Sequence, residues 1–187
     1  MGLLKTYFKY MEDPVEGMHM LMTRRSFRQA CLGYLTAALS WVLFFNIGDD
    51  LSVYAFAFKW ILVFAAELTA GYFIAALCGL FLDLRRVKVS SAQLFVMLGS
   101  SGFIKTILIA FALISAVFTQ AHLGRLFPLA LLVVFGLQLG YLVRALERTW
   151  KVGVVEALGG WLFGFVPVCA LFSLLGIFFI WFLVLIF

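Results

Sequence analysis

Apolar residues fall into five long blocks, at about 29–47, 54–82, 94–118, 126–143 and 165–187, separated by short polar interruptions. A helix rises about 1.5 Å per residue, so roughly 20 apolar residues cross the ~30 Å hydrocarbon core of a bilayer. The pattern predicts an all-α polytopic membrane protein with five transmembrane helices in one domain over 29–187. The second block exceeds what a span needs, which predicts tilt or a protruding end. The last apolar stretch, 157–187, is too long for one span and too short for two. Pro167 disfavours helical geometry at Val166, so an interfacial lead-in around Gly159, Gly160 and Trp161 is expected before the fifth span.

Residues 1–28 read as an interfacial, amphipathic segment with two short helices. In the first, Leu3, Leu4, Tyr7, Phe8 and Met11 recur at helical spacing around Lys5 and Lys9, as in a helix lying on a membrane surface. In the second, Asp13 is placed to cap, Pro14 to occupy the first position and Glu16 to complete a capping box. Met18, Leu21 and Met22 then share an apolar face, and Arg24, Arg25 and Arg28 gather at the end.

The polar interruptions differ in sign. Basic residues cluster before the first span, at Arg85, Arg86 and Lys88 after the second, and at Arg144, Arg148 and Lys151 after the fourth; the first loop holds only Asp49 and Asp50, and the third only Arg125. The positive-inside rule then predicts a cytoplasmic N-terminus and an outside C-terminus. Arg24, Arg25, Arg28, Arg85, Arg86 and Lys88 would form a cytoplasmic basic surface facing anionic lipid headgroups.

Composition narrows the class further. With 65% hydrophobic and 12% charged residues, the chain lies outside the range of soluble globular proteins. Cys31, Cys78 and Cys169 each stand alone in apolar runs, a pattern that indicates neither a disulfide framework nor a metal site. No phosphate loop, carboxylate dyad or nucleic-acid module is visible, so the expectation is a non-enzymatic protein without a cofactor or nucleic-acid partner. Gly99-Ser100-Ser101-Gly102 resembles the GxSG nucleophile motif of rhomboid-type proteases. A serine nucleophile needs its base within hydrogen-bond reach, however, and His19 and His122 are both poorly placed for that.

Two ionisable residues lie near the middle of spans, Glu67 in the second and Lys105 in the third, while Lys59 near the outer end of the second is expected to snorkel. Such residues are costly at bilayer depth and usually meet a partner or a water-filled cavity. From the cytoplasmic ends of their spans their depths differ by less than about one helical turn. Gly71, Ala75 and Gly79 follow Glu67 at steps of four, while Ser101, Gly102 and Ala112 share a side with Lys105; small residues let helices approach closely in lipid. An intramembrane charge pair that locks a helical hairpin is one reading. A proton or ion relay coupled through Glu67 is the other. Gly136 with Gly140, and Gly160 with Gly164, match the GxxxG pattern of packing within the chain or of self-association.

Five spans, the alternating loop charges, and an opening Asp-Pro followed by a short basic helix together resemble the Yip family, the Ypt/Rab-interacting membrane proteins of the secretory pathway and their bacterial relatives. The layout is similar to that of a short bacterial member, because the long cytosolic N-terminal region and Asp-Leu-Tyr-Gly-Pro motif of the eukaryotic branch are missing. The resemblance implies a membrane-organising or adaptor role with membrane proteins or lipids as partners. It also implies a bacterial inner membrane over an internal eukaryotic one, and gives no ground for a GTPase partner. Lys105 is the counterpart of a functionally important Lys of that family, and Glu67 a weaker counterpart of its Glu.

Overall fold

A computed structural model describes residues 8, 10, 12–23, 26–46, 52–117 and 126–186. The expected turn at 48–50, the loop at 119–125 with His122, most of the first amphipathic helix, and Arg24 and Arg25 lie outside the described residues. The elements are α1 (Pro14–Thr23), α2 (Phe27–Asn46), α3 (Val53–Leu84), α4 (Ser91–Ser101), a 3-10 turn (Gly102–Lys105), α5 (Thr106–Val117), α6 (Phe127–Trp150) and α7 (Val154–Ile186). No strand occurs among the described residues. Five helical stretches are long and apolar enough to cross a membrane: Phe27–Asn46, Val53–Leu84, Ser91–Val117, Phe127–Trp150 and Val154–Phe178. The protein is an all-α, membrane-embedded helical bundle.

Local chemistry sets where the helices begin and end. The Glu16 N–H donates to Asp13 Oδ1 at 3.0 Å, which satisfies one of the orphan donors at the start of α1. Ser52 accepts from the Ala55 N–H in the same way at the start of α3. Pro128 sits in the first turn of α6, where a missing N–H costs nothing. At the far end of α6, Lys151 takes a left-handed conformation and its N–H returns to the Glu147 carbonyl at 2.8 Å. The fourth helix therefore does not stop at 143. Arg144, Glu147 and Arg148 lie on its last two turns, and only residues 151–153 connect it to α7.

One further expectation is corrected. The last helix is continuous through Pro167, so there is no separate lead-in before the fifth span. Apolar surroundings offer no water to take up freed backbone groups, which holds a helix together across a proline that would break it in solution. The second short N-terminal helix turns its apolar face to protein. Its Met18, Leu21 and Met22 are buried, because α1 packs against α4 and α6 within the bundle.

The core is organised about α2, which touches α3, α4, the 3-10 turn and α5. The last helix lies along α3 and α6. Gly164 permits that contact: a Cβ there would stand 2.7 Å from the Ile74 carbonyl oxygen of α3. Residues 169–178 of α7 are exposed on every side.

Tyr10 enters the bundle with α1. It is buried edge-on against Phe103, with ring centroids 5.5 Å apart, and Gly17 leaves room for its backbone and ring. Burial, and secondarily Tyr141, pushes its phenol well above the ordinary tyrosine range. Polar contacts add to the docking at the exposed rim. Arg148 pairs with Glu16 at 2.8 Å and more loosely with Asp13 at 3.9 Å, and His19 Nδ1 meets Thr149 Oγ1 at 3.2 Å.

The apolar face should dominate this docking, because exposed ion pairs contribute little. Met18→Ala is expected to weaken the seating of α1 by about 2–5 kcal/mol. Arg148→Gln should weaken it by under about 1 kcal/mol. Amide hydrogen exchange along α1 measures both, and equal acceleration by the two changes would contradict the ranking.

Candidate functional site

Glu67 and Lys105 meet at one carboxylate oxygen. Lys105 Nζ donates to Glu67 Oε1 at 2.5 Å, and the Trp41 indole N–H donates to the same oxygen at 2.6 Å. The ammonium also lies 5.3 Å from the centre of the Trp41 ring, within cation–π range. Glu67 comes from α3, Trp41 from α2 and Lys105 from the end of the 3-10 turn, so three segments converge. The Lys105 side chain is 7% exposed and that of Glu67 20%, which places the ammonium inside and the carboxylate toward the rim.

A break in the helix ladder brings Lys105 there. The hydroxyls of Ser100, Ser101 and Thr106 donate to the carbonyls of Met97, Leu98 and Phe103, each three residues back. Such side-chain bonds compete with the regular ladder, and here they bracket a 3-10 segment that winds more tightly than the α-helices it joins. The third span was expected as one continuous helix; it is α4 and α5 joined at this turn. Its two serines are occupied with their own backbone carbonyls, and His19 is held by Thr149 at the rim.

Backbone contact between α2 and α4 supports the cluster from behind. A Cβ on Gly33 would collide with the Gly99 carbonyl oxygen, one on Gly99 would lie 2.8 Å from the Ala30 carbonyl oxygen, and one on Gly102 would lie 2.5 Å from that of Gly33. Glycine at 33, 99 and 102 therefore lets the two helices cross backbone to backbone. On α3, Gly71 accommodates the Tyr34 ring of α2, and Gly79 accommodates Ser91 of α4; Ala75 between them is buried. The small face below Glu67 thus receives α2 and the start of α4.

Gly136 and Gly140 require a correction. A Cβ at either would meet nothing within 4 Å among the described residues, so this GxxxG face packs against none of them. Between the two glycines, Gln138 is turned inward, and its amide donates to Ser101 Oγ at 2.8 Å. Its Oε1 is buried without a hydrogen-bond partner in the protein. That oxygen belongs to a side chain lining a cavity of about 40 Å³ together with Tyr34, Glu67, Gly102, Lys105 and Phe135. The cavity has room for a few waters.

Trp41, Tyr34 and Gln138 were not anticipated as members of this site. Gln138 carries a readable signal, as an amide in an apolar span needs partners. The indole of Trp41 needs an acceptor when buried, but that need does not name Glu67.

The basic residues expected to share a surface are all exposed where they are described. Arg85, Arg86 and Lys88 occupy the α3–α4 connection, with Arg85 5.7 Å from the Phe81 ring centre, and Arg28 lies in the first turn of α2. No group of three or more potential metal ligands occurs among the described residues. No family model, curated protein or solved structure matches the chain.

Two measurements probe this geometry. Thermal unfolding in mild detergent should show Gly33→Ala destabilised by about 1–3 kcal/mol through overpacking, and Gly136→Ala unchanged or stabilised by up to about 1 kcal/mol. Glu67→Gln and Lys105→Met should each cost about 3 kcal/mol or more by stranding a partner. Their double mutant should lose at least about 1 kcal/mol less than the sum; additive losses would show that the charges are not committed to each other.

Proposed function

We propose that this protein is a non-enzymatic membrane adaptor or scaffold of Yip-like layout, working through contacts with other membrane proteins and lipids. The observation that carries the reading is the internal satisfaction of Glu67. One of its oxygens already accepts from both Lys105 and Trp41, so a coupling role would require breaking two charge-assisted bonds in each cycle. The adjoining cavity, about 40 Å³, has room for a few waters. These features suit a lock that holds helices in register.

The surface that remains available supports the same reading. The helix ends at one pole carry Arg28, Arg85, Arg86, Lys88, Arg144 and Lys151, all exposed. By the positive-inside rule that pole is cytoplasmic, with the C-terminus outside, as in a bacterial inner membrane. Each basic residue near an anionic leaflet contributes about 1 kcal/mol at moderate salt. The outward Gly136 and Gly140, with the exposed far half of α7, offer apolar surface to membrane partners or a second copy.

The rival is a small proton- or ion-coupled transporter, favoured by the partial exposure of Glu67 at the cavity. Two assays separate them. A photo-crosslinking residue in place of Arg86 should trap a defined protein or lipid partner in native membranes. Purified protein in liposomes should leave an imposed pH gradient intact; a decay that Glu67→Gln abolishes would replace the adaptor reading with transport.

A further inference from the structure

Arg28, Cys31, Leu32 and Leu35 stand at i, i+3, i+4 and i+7 on α2 and therefore share one face. Together with Phe64 of α3 they line an open-sided groove of about 660 Å³. The groove is graded along its length. At its head lie Ser26, Arg28 and Gln29 beside the start of α2; at its foot lie Leu35 and Phe64. Seven residues separate Arg28 from Leu35, about 10 Å of helix.

We propose that this groove binds one anionic phospholipid, with the phosphate against Arg28 and an acyl chain along Cys31, Leu32, Leu35 and Phe64. The inference rests on the reading that the basic pole faces anionic lipid, and it locates one specific site there. Three observations carry it. Arg28 is exposed and has no ion-pair partner among the described residues, whereas the nearby acids Asp13 and Glu16 are paired with Arg148. The helix begins at Phe27, so its positive dipole end and first-turn N–H groups lie at the groove's head and favour an anion beside the guanidinium.

The third observation is the lining: below Arg28 the groove is walled by Cys31, Leu32, Leu35 and Phe64 over about two turns of α2, an apolar track for part of an acyl chain. The walls also lie on spanning helices, where the groove's open side meets lipid. Apolar walls below Arg28 thus match a lipid's own order of charge and hydrocarbon.

Cys31 provides a reporter inside the groove. It is exposed, Cys78 is buried, and Cys169 is exposed on α7, so full-length Cys169→Ser leaves Cys31 as the accessible thiol. Delipidated protein in mild detergent is given equal mole fractions of phosphatidylglycerol or phosphatidylcholine, and maleimide labelling of Cys31 is timed. Phosphatidylglycerol should slow labelling about tenfold more than phosphatidylcholine, as one charge-assisted contact implies. Arg28→Gln should erase the difference, Arg28→Lys should keep a large part of it, and Arg86→Gln should leave it intact. Native mass spectrometry should count one phosphatidylglycerol retained per wild-type chain and none in Arg28→Gln.

Equal protection by the two lipids, or a phosphatidylglycerol preference that survives Arg28→Gln, overturns the site. If the preference instead disappears with Arg86→Gln and not with Arg28→Gln, the groove is refuted while the basic-pole reading stands. If wild-type protein prefers neither lipid in labelling or in retention, both fail together.

Discussion

A single carboxylate oxygen joins this bundle's two mid-span charges. Glu67 Oε1 accepts from Lys105 and Trp41, so one atom ties α2, α3 and the 3-10 turn together. In an apolar medium neither charge is stable alone, and the attraction that offsets their desolvation requires close, well-directed contact. That requirement fixes the relative rotation of three segments at once. Apolar packing in lipid cannot do so as sharply, because lipid tails solvate a leucine about as well as another leucine does.

Close contact between side chains depends in turn on close contact between backbones. Gly33, Gly99 and Gly102 allow α2 to cross α4 with almost nothing between them, and Gly71 admits the Tyr34 ring to α3. The hydroxyls of Ser100, Ser101 and Thr106 draw on their own helix's carbonyls around the turn that carries Lys105. Gln138 closes the cluster from α6 with a bond to Ser101 and leaves its carbonyl oxygen unpaired at a cavity with room for a few waters. The result is a polar centre largely satisfied from within, surrounded by apolar faces.

The two ends of the bundle differ correspondingly. At the basic pole α1 is seated by Met18, Leu21 and Met22, Tyr10 fills the space beside Gly17 and Phe103, and Arg148 ties the rim. This end combines packed structure with exposed cations, and the groove headed by Arg28 opens from it. Toward the other end, α7 continues past Val168, its last buried residue among those described, and residues 169–178 are exposed.

Much of this was legible in the chain itself. Five apolar blocks declare five crossings because a bilayer has a fixed thickness, and Glu67 and Lys105 stand out because charge inside it is costly. Asp13, Pro14 and Glu16 announce a helix start through purely local bonds. Depth along two spans could be counted, but which neighbours a side chain meets depends on rotation and crossing, which hydropathy does not encode. Hence Trp41 and Gln138 joined the site only in the folded bundle, and Gly136 and Gly140 turned outward although their spacing is that of Gly160 and Gly164. Hence also Met18, Leu21 and Met22, an apolar face suited to either lipid or protein, found protein. Sequence by itself determined the number and approximate extent of the spans and the presence of buried charge, since those follow from length and solvation. Only the tertiary structure decided which faces meet, because partner choice in an apolar solvent rests on shape and on a few directed bonds between residues distant in the chain.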